Sequence, residues 1–130
     1  MKRRTAREKA LQALFQIDVS ETDINEAIEH VLDGAPHDQY LTMVVEGVIK
    51  HRDEIDQLIQ KHLEKWTIER LTTVDRNILR IAIFEFKYTE EAVPVNVVLD
   101  EAIEVAKLFG DDKSPKFING VLSKVKADMQ

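Results

Sequence analysis

Apolar residues recur along this chain with the period of a helix, and no stretch alternates as a strand does over more than a few residues. The densest apolar stretch lies in residues 72–86, which are almost continuously apolar from Ile78 to Phe86. A helix that is apolar around most of its circumference is buried on most sides. The pattern therefore predicts a central helix over residues 72–86, whose polar beginning, near Asp75 and Arg76, reaches the surface.

The first half of the chain predicts four helices. Thr5 and Glu8 are spaced as a capping box, which predicts a helix over residues 5–19. Asp23 predicts the start of a second helix, and Asp38 the start of a third. Helical period continues from there through Trp66, but five polar residues at 50–54 predict a break, with Asp53 as the cap of a fourth helix.

The second half predicts a connector of one helical turn at 67–71, the central helix, a turn at 90–94 and two more helices. Residues 94–109 form the sixth predicted helix, with Gly110 in the left-handed conformation at its end. Ser114 and Pro115 are the predicted cap and first residue of the seventh. Because Pro94 weakens the one strand candidate, residues 93–98, the prediction is an all-α protein of about seven helices in one domain, 1–130.

Composition excludes several classes of chemistry. The 130-residue chain has no cysteine, so disulfides and thiolate sites are absent. Its glycines, at 34, 47, 110 and 120, form no phosphate-binding loop, and its histidines form no metal-ligand motif. We therefore expect no catalytic centre, no metal and no cofactor. Since no membrane-spanning run and no signal peptide are evident, we expect a cytoplasmic protein.

The charge is unevenly distributed. Net charge is −6, yet residues 1–9 hold five basic side chains against one acid, and residues 111–126 hold four lysines against two acids. Basic residues at a helix start oppose the helix dipole, which favours a functional explanation for Arg3, Arg4 and Arg7. Two interpretations remain open at this level: the clusters are simply solvated, or they bind a polyanion locally.

Three segments are similar to a known family. Residues 101–122 read EAIEVAKLFGDDKSPKFINGVL, residues 78–85 read ILRIAIFE, and residues 3–7 read RRTAR. Together they resemble the NusB family of bacterial transcription antitermination factors, and the chain has the length of a whole family member. Residues 20–65 resemble the family only in helical pattern. The resemblance implies two small helical bundles that share a central helix. It also implies binding to single-stranded boxA RNA jointly with the ribosomal protein NusE, so that RNA polymerase reads through terminators, notably in ribosomal RNA operons.

The same resemblance implies site residues. On the RNA side these are Arg3, Arg4, Arg7, Lys113, Lys116 and Phe117. Cations on phosphates and planar side chains under bases are how proteins hold single-stranded RNA. Phe117 is equally suited to core packing. The start of the seventh helix offers amide groups and a positive dipole end for phosphate, and Gly120 is expected to allow close helix packing.

On the NusE side the resemblance implies Phe15 and Asp75, which occupy matching positions. Glu69 and Arg76 are added to this side as neighbours. Phe15 lies at the edge of the apolar stripe of the first helix, so it is either an edge-of-core residue or exposed.

Two rival functions remain at this level. One is a helical adaptor, or a homodimer, that binds proteins without contacting RNA. The other is a module of a ribosomal RNA methyltransferase, but the chain is too short for the attached enzyme and lacks its glycine-rich loop.

Overall fold

A computed structural model describes residues 1–89 and 91–129. Within those residues the protein consists of seven α-helices and one 3-10 turn, with no strand. The helices are α1 Arg3–Ser20, α2 Ile24–Leu32, α3 Gln39–Lys50, α4 Arg52–Lys61, α5 Thr73–Tyr88, α6 Val95–Phe109 and α7 Ser114–Met129. The all-α prediction is confirmed, and so is the single turn between α4 and α5, which is the 3-10 turn Ile68–Arg70.

Helix α5 is the central helix. It packs against α1, α3 and α4 on one side and against α6 and α7 on the other. Its side chains are buried from Asn77 through Phe86 without interruption, as a helix enclosed by neighbours requires. The Thr72 hydroxyl caps it by accepting a hydrogen bond from the Asp75 amide at 3.1 Å. The predicted arrangement of two helix groups around a shared helix is therefore confirmed.

Close helix packing occurs at Gly47 rather than at Gly120. A Cβ on Gly47 would lie 2.2 Å from the buried ring of Phe84, so α3 approaches α5 through this glycine. A Cβ on Gly120 would have no atom within 4 Å. The prediction that Gly120 allows helix packing is wrong, because that side of α7 is open.

Several helix ends differ from their predicted positions. Helix α1 begins at Arg3, with Lys2 as a cap that makes no side-chain bond, so Thr5 lies inside the helix and is not its cap. The break between α3 and α4 falls where it was predicted, but His51 rather than Asp53 is the residue between them. Local sequence preferences alone do not determine where these helices begin. Packing of the apolar face can extend a helix past the residue that would be its best cap.

Helix α4 ends at Lys61, although helical period continues in the sequence through Trp66. The Gln60 side chain accounts for the difference. Its amide group donates to the Trp66 carbonyl at 3.1 Å, and its oxygen accepts from the Ile68 amide at 2.9 Å. These two bonds replace helical ones and hold residues 62–67 as a braced loop. The turn predicted at 90–94 includes Glu90, which lies outside the described residues.

Candidate nucleic-acid interface

The N-terminal basic residues Arg3 and Arg4 lie exposed in the first turn of α1. The Arg3 guanidinium lies 4.9 Å from the centre of the Tyr40 ring, a cation–π contact. Arg4 donates from Nε to Glu101 of α6 at 2.9 Å, and this hydrogen bond raises the pKa of Arg4. The Arg4 side chain remains 54% exposed, so both cations are accessible to a ligand.

Arg7 has a different environment, because it points into the core. Its Nε and Nη2 atoms each donate to the Glu85 carboxylate at 2.8 Å, and Glu85 is fully buried. The Tyr40 hydroxyl donates to the same carboxylate at 2.8 Å. Burial lowers the pKa of Arg7, but the bonds and charge of Glu85 outweigh it and raise that pKa, so Arg7 stays charged. RNA contact by Arg7 stays a prediction, and this burial argues against it.

The second basic group lies at the head of α7. Lys113 and Lys116 are exposed, while Phe117 is half-buried and packs against the core with part of its surface. Phe117 also borders two open grooves, one on each side of the α7 head. The two roles considered for Phe117, core packing and base stacking, are therefore compatible in one position.

The cap of α7 is Asp111 rather than the predicted Ser114. The Asp111 carboxylate accepts from the amides of Lys113 and Ser114 at 2.8 and 3.1 Å, and the Ser114 hydroxyl accepts from the Asp111 amide at 3.0 Å. This reciprocal pair is a capping box. Two of the amides expected to bind phosphate, those of Lys113 and Ser114, are thus already occupied by a carboxylate. An anion held here therefore depends mainly on the side chains of Lys113 and Lys116.

The cap of α7 requires glycine at position 110 because a side chain there would clash, and not because the backbone is left-handed. The Gly110 backbone is extended, with φ −89° and ψ −173°, so the predicted left-handed conformation is wrong. A Cβ at this position would lie 2.4 Å from the Ser114 side chain and 2.9 Å from the Ala106 carbonyl. The glycine lets the chain turn tightly from α6 into α7 and so fixes where Lys113 and Lys116 emerge.

Sequence reasoning missed Trp66. Its helical spacing assigned it to the core, but it lies on the braced loop and is 53% exposed. It borders both of the grooves that Phe117 borders. The signal in the sequence was its flanking by Lys65 and Arg70, since exposed aromatics among cations are typical of single-stranded nucleic-acid binders.

Of the predicted partner residues, Glu69 and Arg76 lie around the start of α5, and Phe15 lies on α1, which packs against α5. Phe15 is 40% exposed, which settles its position as a surface residue, and Glu69 is exposed. Arg76 contacts both elements, because its Nε lies 3.7 Å from Asp18 of α1 and its Nη1 donates to the Ile68 carbonyl at 3.5 Å.

Asp75, the fourth predicted partner residue, is only 8% exposed. One of its carboxylate oxygens has no hydrogen-bond partner among the described residues. Burial raises the pKa of Asp75; the nearby Ser114 and Thr72 hydroxyls lower it, and the charge of Asp111 raises it further. Asp75 offers a partner little contact area in this conformation, although an unpaired buried oxygen is a group that a donor would stabilise.

Within residues 1–89 and 91–129, no group of three or more histidine, aspartate or glutamate side chains is placed to hold a metal ion. The same residues contain no helix that has both the length and the apolarity needed to cross a membrane. What the structure does offer is an all-helical scaffold with accessible cations and aromatic rings at helix ends. Exposed cations beside aromatic rings are typical of surfaces that bind single-stranded nucleic acid.

Comparison with known proteins assigns the family. Residues 4–127 match the model of the NusB family, so the chain belongs to that family. The transcription antitermination protein NusB of Bacillus subtilis is 58% identical over 130 residues, covering 100% of this chain and 98% of that protein.

Solved structures agree with this assignment. T. maritima NusB superposes with a TM-score of 0.90 at 36% identity, covering 98% of this chain and 92% of that one. A crystal structure of the antitermination factors NusB and NusE in complex with dsRNA superposes with a TM-score of 0.86 at 29% identity, covering 97% of this chain and 96% of that one. The family resemblance inferred from three short segments is therefore confirmed over the full length.

Proposed function

We propose that this protein is a cytoplasmic transcription antitermination factor, acting as one domain over residues 1–130. It binds single-stranded boxA RNA together with NusE and so promotes readthrough by the RNA polymerase antitermination complex, notably in ribosomal RNA operons. It works by binding and carries out no catalytic step. Family membership and the NusB–NusE–dsRNA relative support the RNA and NusE parts of this proposal.

The observation that carries the proposal is the pair of exposed basic groups in an acidic protein. Arg3 and Arg4 lie at the start of α1, and Lys113 and Lys116 lie at the head of α7 beside Phe117. Because net charge is −6, a polyanion is repelled by the body and attracted at these two places. Base stacking on Phe117 then adds an interaction that a duplex, whose bases are already stacked, does not offer.

A salt titration tests the RNA contacts. Fluorescence anisotropy of a labelled boxA oligonucleotide is measured at several salt concentrations with NusE present. The double variants Arg3→Glu/Arg4→Glu and Lys113→Glu/Lys116→Glu should each bind more weakly. Each should also lower the magnitude of the salt slope by about 1.4, since each phosphate contact to a single strand contributes about 0.7.

Lys50→Glu/Lys87→Glu is the charge control, because it changes net charge equally at the C-terminal ends of α3 and α5, outside both basic groups. Since Lys87 pairs with Glu54, thermal unfolding checks that this variant is folded. Arg7 is left intact in every variant, since its loss perturbs the core. If all three double variants bind with the same affinity and slope, the effect is one of net charge and the RNA assignment fails. Binding of NusE with no RNA contribution would instead support the adaptor interpretation.

A further inference from the structure

Trp66 is a large apolar side chain on the surface, and side-chain hydrogen bonds hold the loop that carries it. The Gln60 side chain binds the chain on both sides of it, at the Trp66 carbonyl and at the Ile68 amide. Ile68 is itself buried and anchors the far end of the loop. His62 holds the N-terminal end of the 62–67 loop. It donates a hydrogen bond to the Leu58 carbonyl at 2.8 Å and contacts Asp128 of α7 at 2.5 Å. The exposed indole is therefore presented on a braced loop.

Two grooves meet at Trp66 and Phe117. One, of about 340 Å³, runs between the 62–67 loop and α7 and has Gly120 in its wall. The other, of about 320 Å³, runs between the same tryptophan and the start of α5. Gly120 faces open space in the first groove, since an added Cβ there would meet nothing within 4 Å. Trp66 and Phe117 lie in the wall of each groove, so a planar group that enters either one meets an aromatic ring.

The charges around these grooves are predominantly positive. Lys65, Arg70, Lys113 and Lys116 are exposed, and none of them forms an ion pair within the described part of the chain. Of the acids that line the grooves, Glu64 pairs with Lys124 at 2.6 Å, Asp111 caps α7, and Asp75 is buried. Glu69 and Asp112 are exposed beside Arg70 and Lys113 but do not line either groove. A basic groove with two exposed aromatic residues is complementary to a single-stranded polyanion with unstacked bases.

From this geometry we propose that Trp66 is a base-stacking residue, which extends the RNA-binding surface from the head of α7 onto the 62–67 loop. The inference rests on the proposed function and adds a specific contact to it. One unpaired base stacks on the indole, while Lys65, Arg70, Lys113 and Lys116 hold the flanking phosphates. The occupant is the same RNA strand that contacts Phe117, because both side chains border both grooves.

Intrinsic fluorescence tests the proposal, because Trp66 is the one tryptophan of the chain. Titration with boxA RNA should quench the emission of the wild-type protein, since a base stacked on the excited indole opens a non-radiative decay by electron transfer. Trp66→Ala should weaken RNA binding about ten- to a hundredfold, the range expected for loss of one stacked base. Trp66→Phe should keep most of the wild-type affinity, because phenylalanine can also stack on a base. If Trp66 served only to hold the loop in place, the aromatic ring would not matter in this way. Thermal unfolding of both variants checks that the fold is unchanged.

The outcomes separate this inference from the function on which it rests. If RNA binds through Arg3 and Arg4 but Trp66 emission stays constant and Trp66→Ala binds normally, the stacking proposal is wrong and the RNA function stands. If NusE alone quenches Trp66 and added RNA has no further effect, the groove is a protein-binding surface and the proposal is overturned. If no RNA binds at all, both proposals fail.

Discussion

Replacing Arg7 by methionine separates the structural role of this arginine from an RNA-binding role. The change keeps an unbranched side chain of similar length but removes both 2.8 Å bonds to Glu85. The Glu85 carboxylate is fully buried and keeps Tyr40 as its remaining donor. Because an uncompensated buried charge results, we expect Arg7→Met to lower the free energy of unfolding by about 3–5 kcal/mol.

That loss is a large part of the stability of a typical domain, which is about 5–15 kcal/mol. For a chain of this length it corresponds to a fall in Tm of roughly 10–20 °C. Urea unfolding followed by circular dichroism, together with calorimetry, measures both quantities. Arg7→Met/Glu85→Leu should recover much of the lost stability, since it replaces the whole ion pair by apolar side chains.

Arg4→Met is the matched control, because Arg4 makes a comparable ion pair on the surface. Its Tm should hardly change, since exposed ion pairs contribute little. The RNA affinity of Arg7→Met, measured at a temperature where it is folded, should equal that of the wild type. An Arg7→Met variant with normal Tm and weakened RNA binding would refute the burial reasoning and restore Arg7 to the RNA site.

Three further predictions concern other positions. Gly47→Ala should lower the free energy of unfolding by about 1–2 kcal/mol, because overpacking against Phe84 outweighs the gain in helix propensity; Gly120→Ala should raise it by about 0.5–1 kcal/mol, and urea unfolding compares the two. Asp75→Asn should raise Tm at pH 8, and the gain should shrink towards pH 4. The pKa of Asp75 is higher in the folded than in the unfolded protein, so its ionisation at rising pH destabilises the fold. A constant gain at all pH values would contradict that shift. Phe15→Ala should weaken NusE binding in a calorimetric titration with little change in Tm, since the ring is 40% exposed; unchanged NusE affinity would remove Phe15 from the partner surface.

The helices of this protein could be predicted from its sequence because each buries a face of regular period. The apolar run from Ile78 to Phe86 is by itself sufficient to identify α5 as the central helix. Helix ends were less predictable, since they depend on which side chains reach unpaired backbone groups. Gln60 ends α4 by binding residues six and eight positions away, and no local pattern distinguishes it from other glutamines.

The RNA-binding residues depend on the family resemblance rather than on helical period. The resemblance implies Arg3, Arg4, Lys113 and Lys116 on the RNA side, and the structure leaves these cations exposed. Their contact with RNA stays a prediction. Arg7 belongs to the same sequence cluster, but its partner lies 78 residues away, so its burial could not be derived from local sequence. Trp66 was missed for the opposite reason: helical spacing indicated burial, and the tertiary brace at Gln60 places it on the surface.

The most direct measurement of the central claim is light scattering after size-exclusion chromatography, with the protein alone, with boxA RNA, with NusE, and with both. The proposal predicts one complex that contains protein, NusE and RNA, and that forms more completely with both partners than with either alone. With Arg3→Glu/Arg4→Glu the RNA should be lost from that complex. A complex of the same mass with and without RNA, or a protein that self-associates and excludes RNA, would contradict it.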